Sequence, residues 1–256
     1  MEQIVPINRY FLEISFNGSK YHGWQIQKDV PTVQQLLNGH FSVFLREEIK
    51  TEGCGRTDAG VHARKFMLHF NTTHVLDASF IKEMNSFLPQ DICVHKLFRN
   101  RKKIHARWDA IYRSYEYHIS RGKNPFMSEM ALISYEEFDT VKMNEACEIL
   151  LAHEDFATFS KTKGGQKHSL CIMRYARWEE TKDAYVFHVS SNRFLRGMVR
   201  MIVGNMLEVG KGKISLEEFE KRLLAKDRSL SAKAVAASGL YFVDVVYPDG
   251  FLKEIY

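Results

Sequence analysis

The sequence predicts an α+β fold, and three observations carry that expectation. Stretches in which apolar and polar side chains alternate occur in both halves of the chain, as half-buried strands require. Between them lie stretches whose apolar residues recur every 3.6 positions, several of them opened by Ser or Thr caps. Some of the alternating stretches are joined as hairpins, which favours α+β over a fully parallel α/β sheet.

Taken in order, Tyr10, Leu12, Ile14 and Phe16 alternate with Phe11, Glu13 and Ser15, a strand ended by Asn17-Gly18. Thr32 opens a helix through a capping box to Gln35, with Val33, Leu36, Leu37, Phe41 and Phe44 along one face. Phe66, Leu68 and Phe70 mark a second strand. Asp77 begins a helix through Phe80, Ile81, Met84 and Phe87 that Pro89 stops, and Ile92 to Phe98 reads as a third strand. The basic stretch from Arg99 to Arg107 then separates two domains, 1–107 and 108–256. The second opens with a strand carrying Tyr115, Tyr117 and Ile119, turns at Lys123-Asn124-Pro125, and caps a helix with Ser134 and Glu137. Strands follow at Cys171 to Trp178 and Tyr185 to Val189. A long helix begins at Phe194 and places Leu195, Met198, Val199, Ile202, Val203 and Met206 in one arc. In that helix Arg193, Arg196 and Arg200 would share an arc of about 60° beside the apolar face. Ser215 and Glu218 cap a short helix, and Leu240 to Tyr247 closes the chain as a strand.

Composition narrows the classes. With 256 residues, 45% hydrophobic and 26% charged, with 5 Pro and 15 Gly, the chain is neither disordered nor collagen-like. The net charge of +5 permits a polyanionic partner without naming one. The longest apolar segment, Phe194 to Val203, is interrupted by Arg196 and Arg200, so no membrane helix is expected. The N-terminus has no basic stretch leading into an apolar one, which favours the cytoplasm over secretion. Cys54, Cys93, Cys147 and Cys171 are dispersed without zinc-ligand spacing, and buried reduced thiols are expected.

The segment Gly53-Cys54-Gly55-Arg56-Thr57-Asp58-Ala59-Gly60-Val61-His62-Ala63 concentrates three Gly in eight residues and holds Arg56 two positions from Asp58. It is either a surface turn or a functional loop. A dinucleotide or Walker phosphate loop is excluded, because the required Gly and Gly-Lys-Ser/Thr are missing.

The run GRTDAGVHA resembles the catalytic motif of the tRNA pseudouridine synthase A family. Four further segments match that family in the same order. They are Tyr21-His22-Gly23-Trp24-Gln25-Ile26-Gln27 with Thr32-Val33-Gln34, and His105-Ala106-Arg107 with Arg113-Ser114-Tyr115-Glu116-Tyr117. Phe194-Leu195-Arg196-Gly197-Met198-Val199-Arg200 with Ile202-Val203-Gly204 follows, and Gly239-Leu240-Tyr241 is the last. Two departures are Trp108, where the family commonly has Phe, and Ala237-Ser238 before Gly239, where Pro is frequent.

The resemblance implies two ferredoxin-like α/β subdomains whose mixed or antiparallel sheets flank a central catalytic cleft. It implies an isomerase that converts uridine to pseudouridine at positions 38, 39 and 40 of the tRNA anticodon stem-loop, without cofactor or metal. A homodimer crossed by one tRNA is implied as well. A non-catalytic tRNA-binding or RNA-chaperone protein on the same fold is the alternative. By the same resemblance Asp58 is the nucleophile, a role for which a carboxylate suffices. Arg200 pairs with it, and a guanidinium about 4 Å away would contribute roughly 4 kcal/mol at an effective dielectric near 20. Arg56 fills the space left by the extruded nucleotide, Tyr115 stacks on the target base, and Leu240 walls the pocket. Arg193 and Arg196 read as a solvated or phosphate-facing stripe. Two basic stretches, Arg99, Arg101, Lys102, Lys103 and Arg107, then Lys161, Lys163 and Lys167, become phosphate contacts if the partner is tRNA.

Overall fold

The computed structural model describes residues 7–100, 104–161, 168–253 and 255. The chain is mixed α+β with mostly antiparallel pairing and divides into two compact units. One runs to Ile111 and takes back the chain from Phe242; the other is Tyr112–Tyr241.

In the first unit β1 (Asn8–Phe16) is central, antiparallel to both β3 (His62–Thr72) and β4 (Ile92–Asn100). The short β2 (Glu52–Gly53) pairs with β3. Alternation along β1 sends Tyr10, Leu12 and Ile14 opposite Phe70, Leu68 and Phe66 of β3. That face is covered by α1 (Val33–Leu45) and α2 (Ser79–Phe87), where Phe41 meets Phe70 at 5.3 Å and Phe80 at 5.9 Å. Thr32 caps α1 as expected, its hydroxyl accepting from the Gln35 N–H at 3.4 Å. The opposite face is also occupied: Phe11 is buried, stacks on His69 at 5.3 Å and meets Tyr247 at 6.4 Å. The strand is therefore apolar on both sides at Phe11, which the simple alternation does not require.

In the second unit β5 (Tyr112–Arg121), β8 (Ala184–Ser191) and β7 (Met173–Glu180) are antiparallel in that order, with β6 (Leu132–Ser134) parallel on β5. Helices α3 (Thr140–Leu151), α4 (Met198–Gly210) and α5 (Leu216–Leu224) complete it. Helix α4 is buried nearly all round, and Met206 accepts from the Trp178 indole N–H at 3.2 Å. Ser215 caps α5 as expected, accepting from Glu218 N–H at 3.2 Å. Strand β9 (Leu240–Val246) leads back to the first unit, where Phe242 packs on Phe66 at 5.2 Å.

Three expectations are corrected. Ser134 caps no helix: it ends β6, its hydroxyl accepts from the Glu136 N–H, and α3 begins later behind the side chain of Asp139. Helix α4 starts at Met198, not Phe194, because Gly197 takes the left-handed conformation at φ +71° and breaks the turn. Arg193 and Arg196 consequently lie off the helix, Arg196 exposed and Arg193 bonded to the His168 ring, so only Arg200 keeps its helical place. Finally, residues after 241 belong with the first unit instead of the second, where Phe242 packs on Phe66.

No disulfide joins the four cysteines; Cys54, Cys147 and Cys171 are buried and Cys93 half-buried. Burial pushes the thiols of Cys147 and Cys171 up to about 12, which keeps them protonated and inert. Among the described residues no helix is long and apolar enough to cross a membrane.

Candidate active site

Asp58 sits on the loop that joins β2 to β3, and its neighbours show why the loop has one shape. The Cys54 N–H donates to the Met67 carbonyl at 2.7 Å, closing the base of the connection. At its tip the Val61 N–H donates to the Asp58 carbonyl at 3.2 Å, a turn whose third residue, Gly60, has φ +77°. Asp58 itself is half-buried and Arg56 is exposed.

A strap from Gly18 to Trp24 holds this loop from the side. The Gly60 N–H donates to the Tyr21 carbonyl at 3.1 Å, and the Trp24 N–H donates to the Thr57 carbonyl at 3.4 Å. Gly23, at φ +85°, lies so close that a Cβ there would meet the Thr57 carbonyl oxygen at 2.2 Å. Gly18 presses on Val61 in the same way, and its N–H donates to His62 Nδ1 at 3.1 Å. The strap is itself fixed at two places. Tyr21 donates its hydroxyl to Asp91 at 2.7 Å, while the carbonyls of Gly23 and Trp24 accept from the first-turn N–H groups of Val33 and Gln34 in α1. The joint presence of Tyr21-His22-Gly23-Trp24 and Thr32-Val33-Gln34 thus has a physical cause. One segment supplies the acceptors that the other segment's helix end lacks.

Below the loop the Trp24 indole packs on Phe66 at 4.5 Å and against the Cα of Gly53, with Phe16 and Phe242 beside Phe66. This aromatic floor is buried, so the loop is positioned by packing as well as by hydrogen bonds. Thr57, which precedes Asp58, has a buried hydroxyl with no hydrogen-bond partner.

The second unit gathers three of the singled-out segments. Tyr115 on β5 is buried and meets Phe194 edge-on at 5.0 Å, so the central and C-terminal motifs touch. Arg200 is half-buried on α4; its Nε donates to the Val235 carbonyl at 2.7 Å, and the Val235 N–H donates back to the Arg200 carbonyl at 3.2 Å. Gly239 packs so tightly on β5 that a Cβ there would lie 2.7 Å from the His118 carbonyl oxygen and 2.8 Å from the Tyr117 ring. Leu240 follows it, buried at the start of β9.

The basic stretches divide. Arg99 is exposed and donates to Asn8 Oδ1 at 2.9 Å; Arg107 is half-buried over the Trp108 ring. Lys161 is half-buried, its N–H donating to the Arg196 carbonyl and its stem lying against Gly197. Arg101, Lys102, Lys103, Lys163 and Lys167 lie outside the described residues. Among the described residues no cluster of three or more His, Cys, Asp or Glu has metal-binding geometry.

Sequence reasoning gave the strap glycines no role of their own and passed over His69. The first left a signal, a Gly between two aromatic residues ahead of a helix cap. His69 left none, because its burial is a property of the folded sheet. It is pushed down to about 3, chiefly by burial and then by the positive charge of Arg9 and His105, so it is a neutral ring whose Nδ1 accepts from the Ala106 N–H at 3.2 Å.

Comparison with known proteins defines the class first. A family model described as tRNA pseudouridine synthase matches residues 146–248, a stretch that includes Arg200 and Leu240. Full-length relatives define it further. A protein of Azobacteroides pseudotrichonymphae named tRNA pseudouridine synthase A is 38% identical over 249 residues, covering 97% of this chain and 100% of the relative. One of the same name from Bacteroides thetaiotaomicron is 38% identical over 252 residues, 97% of this chain and 94% of the relative. Another, from Francisella tularensis subsp. tularensis, is 36% identical over 252 residues, 97% of both chains. The chain belongs to the tRNA pseudouridine synthase A family.

Proposed function

We propose that this protein converts uridine to pseudouridine in tRNA, at positions 38, 39 and 40 of the anticodon stem-loop, with Asp58 as the nucleophile. The observation that carries the reading is similarity along 97% of the chain to proteins named tRNA pseudouridine synthase A. The stiff, glycine-clasped loop that bears Asp58 supports it, because a covalent catalyst must hold its reacting atom in place.

The reaction breaks the bond between N1 and C1′ of uridine, turns the base and joins C5 to C1′, with a proton lost from C5 and one gained at N1. Atoms and oxidation state are conserved, so side chains suffice. Asp58 adds covalently to the nucleoside and is released when the new bond is complete. Arg200 supplies positive charge to the reacting carboxylate, Arg56 occupies the space left by the extruded nucleotide, Tyr115 stacks on the target base and Leu240 offers an apolar wall. Arg99, Arg101, Lys102, Lys103, Arg107, Lys161, Lys163 and Lys167 hold phosphates. The enzyme works in the cytoplasm as a homodimer.

Each unit is read as a ferredoxin-like subdomain. In the first, strand, helix, two strands, helix and strand follow one another, with β4, β1 and β3 adjacent in that order and β2 on β3, as in a split βαβ arrangement. In the second, β5, α3, β7, β8 and α4 follow the same succession as far as its second helix, with the short β6 between β5 and α3.

The test is Asp58→Asn, which removes the charge and nearly preserves the shape. Pseudouridine mapped by position in tRNA transcripts should disappear from all three sites while tRNA binding stays within a few fold. Turnover by that variant would overturn the proposal.

A further inference from the structure

Of the three tryptophans, Trp24 and Trp178 are buried, whereas Trp108 leaves 70% of its surface to solvent. An exposed indole is a large apolar face that folding has not used. It is nonetheless held firmly. The turn that carries it is anchored from three sides: Arg9 donates its guanidinium to the Ile104 carbonyl at 2.8 Å, Tyr247 its hydroxyl to the Ala106 carbonyl at 2.6 Å, and the Ala106 N–H goes to His69. Within the turn the His105 N–H donates to Asp109 Oδ2 at 2.7 Å, the Asp109 N–H to the His105 carbonyl at 3.2 Å, and the Arg107 N–H to His105 Nδ1 at 3.1 Å. Rings then pile from the interior outward: Phe11 to His69 at 5.3 Å, His69 to His105 at 4.7 Å, His105 to Trp108 at 5.7 Å. The Arg107 guanidinium lies 4.6 Å from the centre of the Trp108 ring.

We propose that Trp108, with Arg107 beside it, is a stacking platform for an unpaired nucleobase of the RNA substrate. The proposal rests on the tRNA reading above and adds a base contact to it. Every base has a flat π-face, so an indole presented on an anchored turn takes one without reading its identity, and the fixed backbone limits the freedom lost when it binds. The adjacent guanidinium counters the phosphate that accompanies the base. Charge argues for RNA over a second copy of this chain. Arg107 lies against the ring and Arg9 holds the same turn, so a self-contact centred on Trp108 would bring these guanidinium groups together, whereas a phosphate would pair with them.

Because the other two indoles are buried, the solvent-exposed part of the intrinsic fluorescence reports on Trp108. Titration of the full chain with unmodified tRNA transcript, and separately with an eight-nucleotide oligouridylate, should quench that emission. Trp108→Leu should bind tRNA about 10-fold more weakly and Trp108→Phe within about 3-fold of the unchanged protein. Thermal melting of both variants should match the parent, since the side chain is exposed. Unquenched emission under saturating tRNA, or unaltered affinity in Trp108→Leu, would overturn the platform. An emission change that follows protein concentration without RNA would assign the surface to a second copy and overturn it too. Pseudouridine formation by the same unmutated preparation keeps the two readings apart. Turnover without quenching removes only the platform, and quenching by oligouridylate without turnover removes only the catalytic reading.

Discussion

Gly23 and Thr57 are packed backbone to backbone, with room at residue 23 for a hydrogen and nothing larger. A Cβ would meet the Thr57 carbonyl oxygen at 2.2 Å, and the φ of +85° strains any other residue. Since Thr57 precedes Asp58, the nearest relief is a shift of the carboxylate itself. Gly23→Ala is expected to cost at least about 2 kcal/mol of stability and to lower kcat by about 100-fold, as a displacement near 1 Å would. Gly39→Ala in α1 is the control: a Cβ there meets nothing within 4 Å, and better helix propensity should raise stability by up to about 1 kcal/mol. Chemical denaturation and single-turnover assays of both variants decide the matter; equal behaviour would contradict the clasp.

Thr57 offers a second test with the opposite sign. Its hydroxyl is buried without a partner, and a polar atom taken from water without compensation costs roughly 1 to 3 kcal/mol. Thr57→Val keeps the shape and removes that cost, so the melting temperature is expected to rise or hold. A clear fall in stability would show that the hydroxyl has a role in the folded protein that its surroundings do not reveal.

His69 makes stability depend on pH. Its folded pKa, about 3, lies below the ordinary histidine value of 6.5, so between those limits the unfolded chain binds a proton that the folded chain refuses. Stability is thus full above about 6.5 and falls as the pH drops through the window, by up to about 1.4 kcal/mol per pH unit. His69→Asn retains an acceptor for the Ala106 N–H and cannot titrate. The stability difference between the two proteins should shift in favour of the variant as the pH goes from 7 to 5. Parallel pH curves would refute the assignment.

The elements legible in the sequence were those written in short-range chemistry. Thr32 and Ser215 cap helices through hydrogen bonds to residues three positions on, so pattern and structure agree there. Ser134 has the same spacing to Glu137 and fails, because the cap needs a helix behind it and β6 claims the chain first. Phe194 and Leu195 fall in phase with the apolar arc of α4, yet they precede the break at Gly197. Apolar phase marks burial and does not distinguish a buried loop from a helix. The motif around Asp58 stood out by composition, whereas the clasp that shapes it joins residues more than thirty positions apart.

The sequence by itself determined the α+β class, most strand and helix positions, and five ordered motifs that match one family. Those features depend on neighbours along the chain, where periodicity and caps are set by covalent spacing. Only the tertiary structure decided that Gly18 and Gly23 grip the Asp58 loop, that the last strand returns to the first unit, and that Trp108 faces water while Phe11 and His69 do not. Such outcomes follow from which distant surfaces bury one another, a competition among all apolar groups at once that no local pattern records.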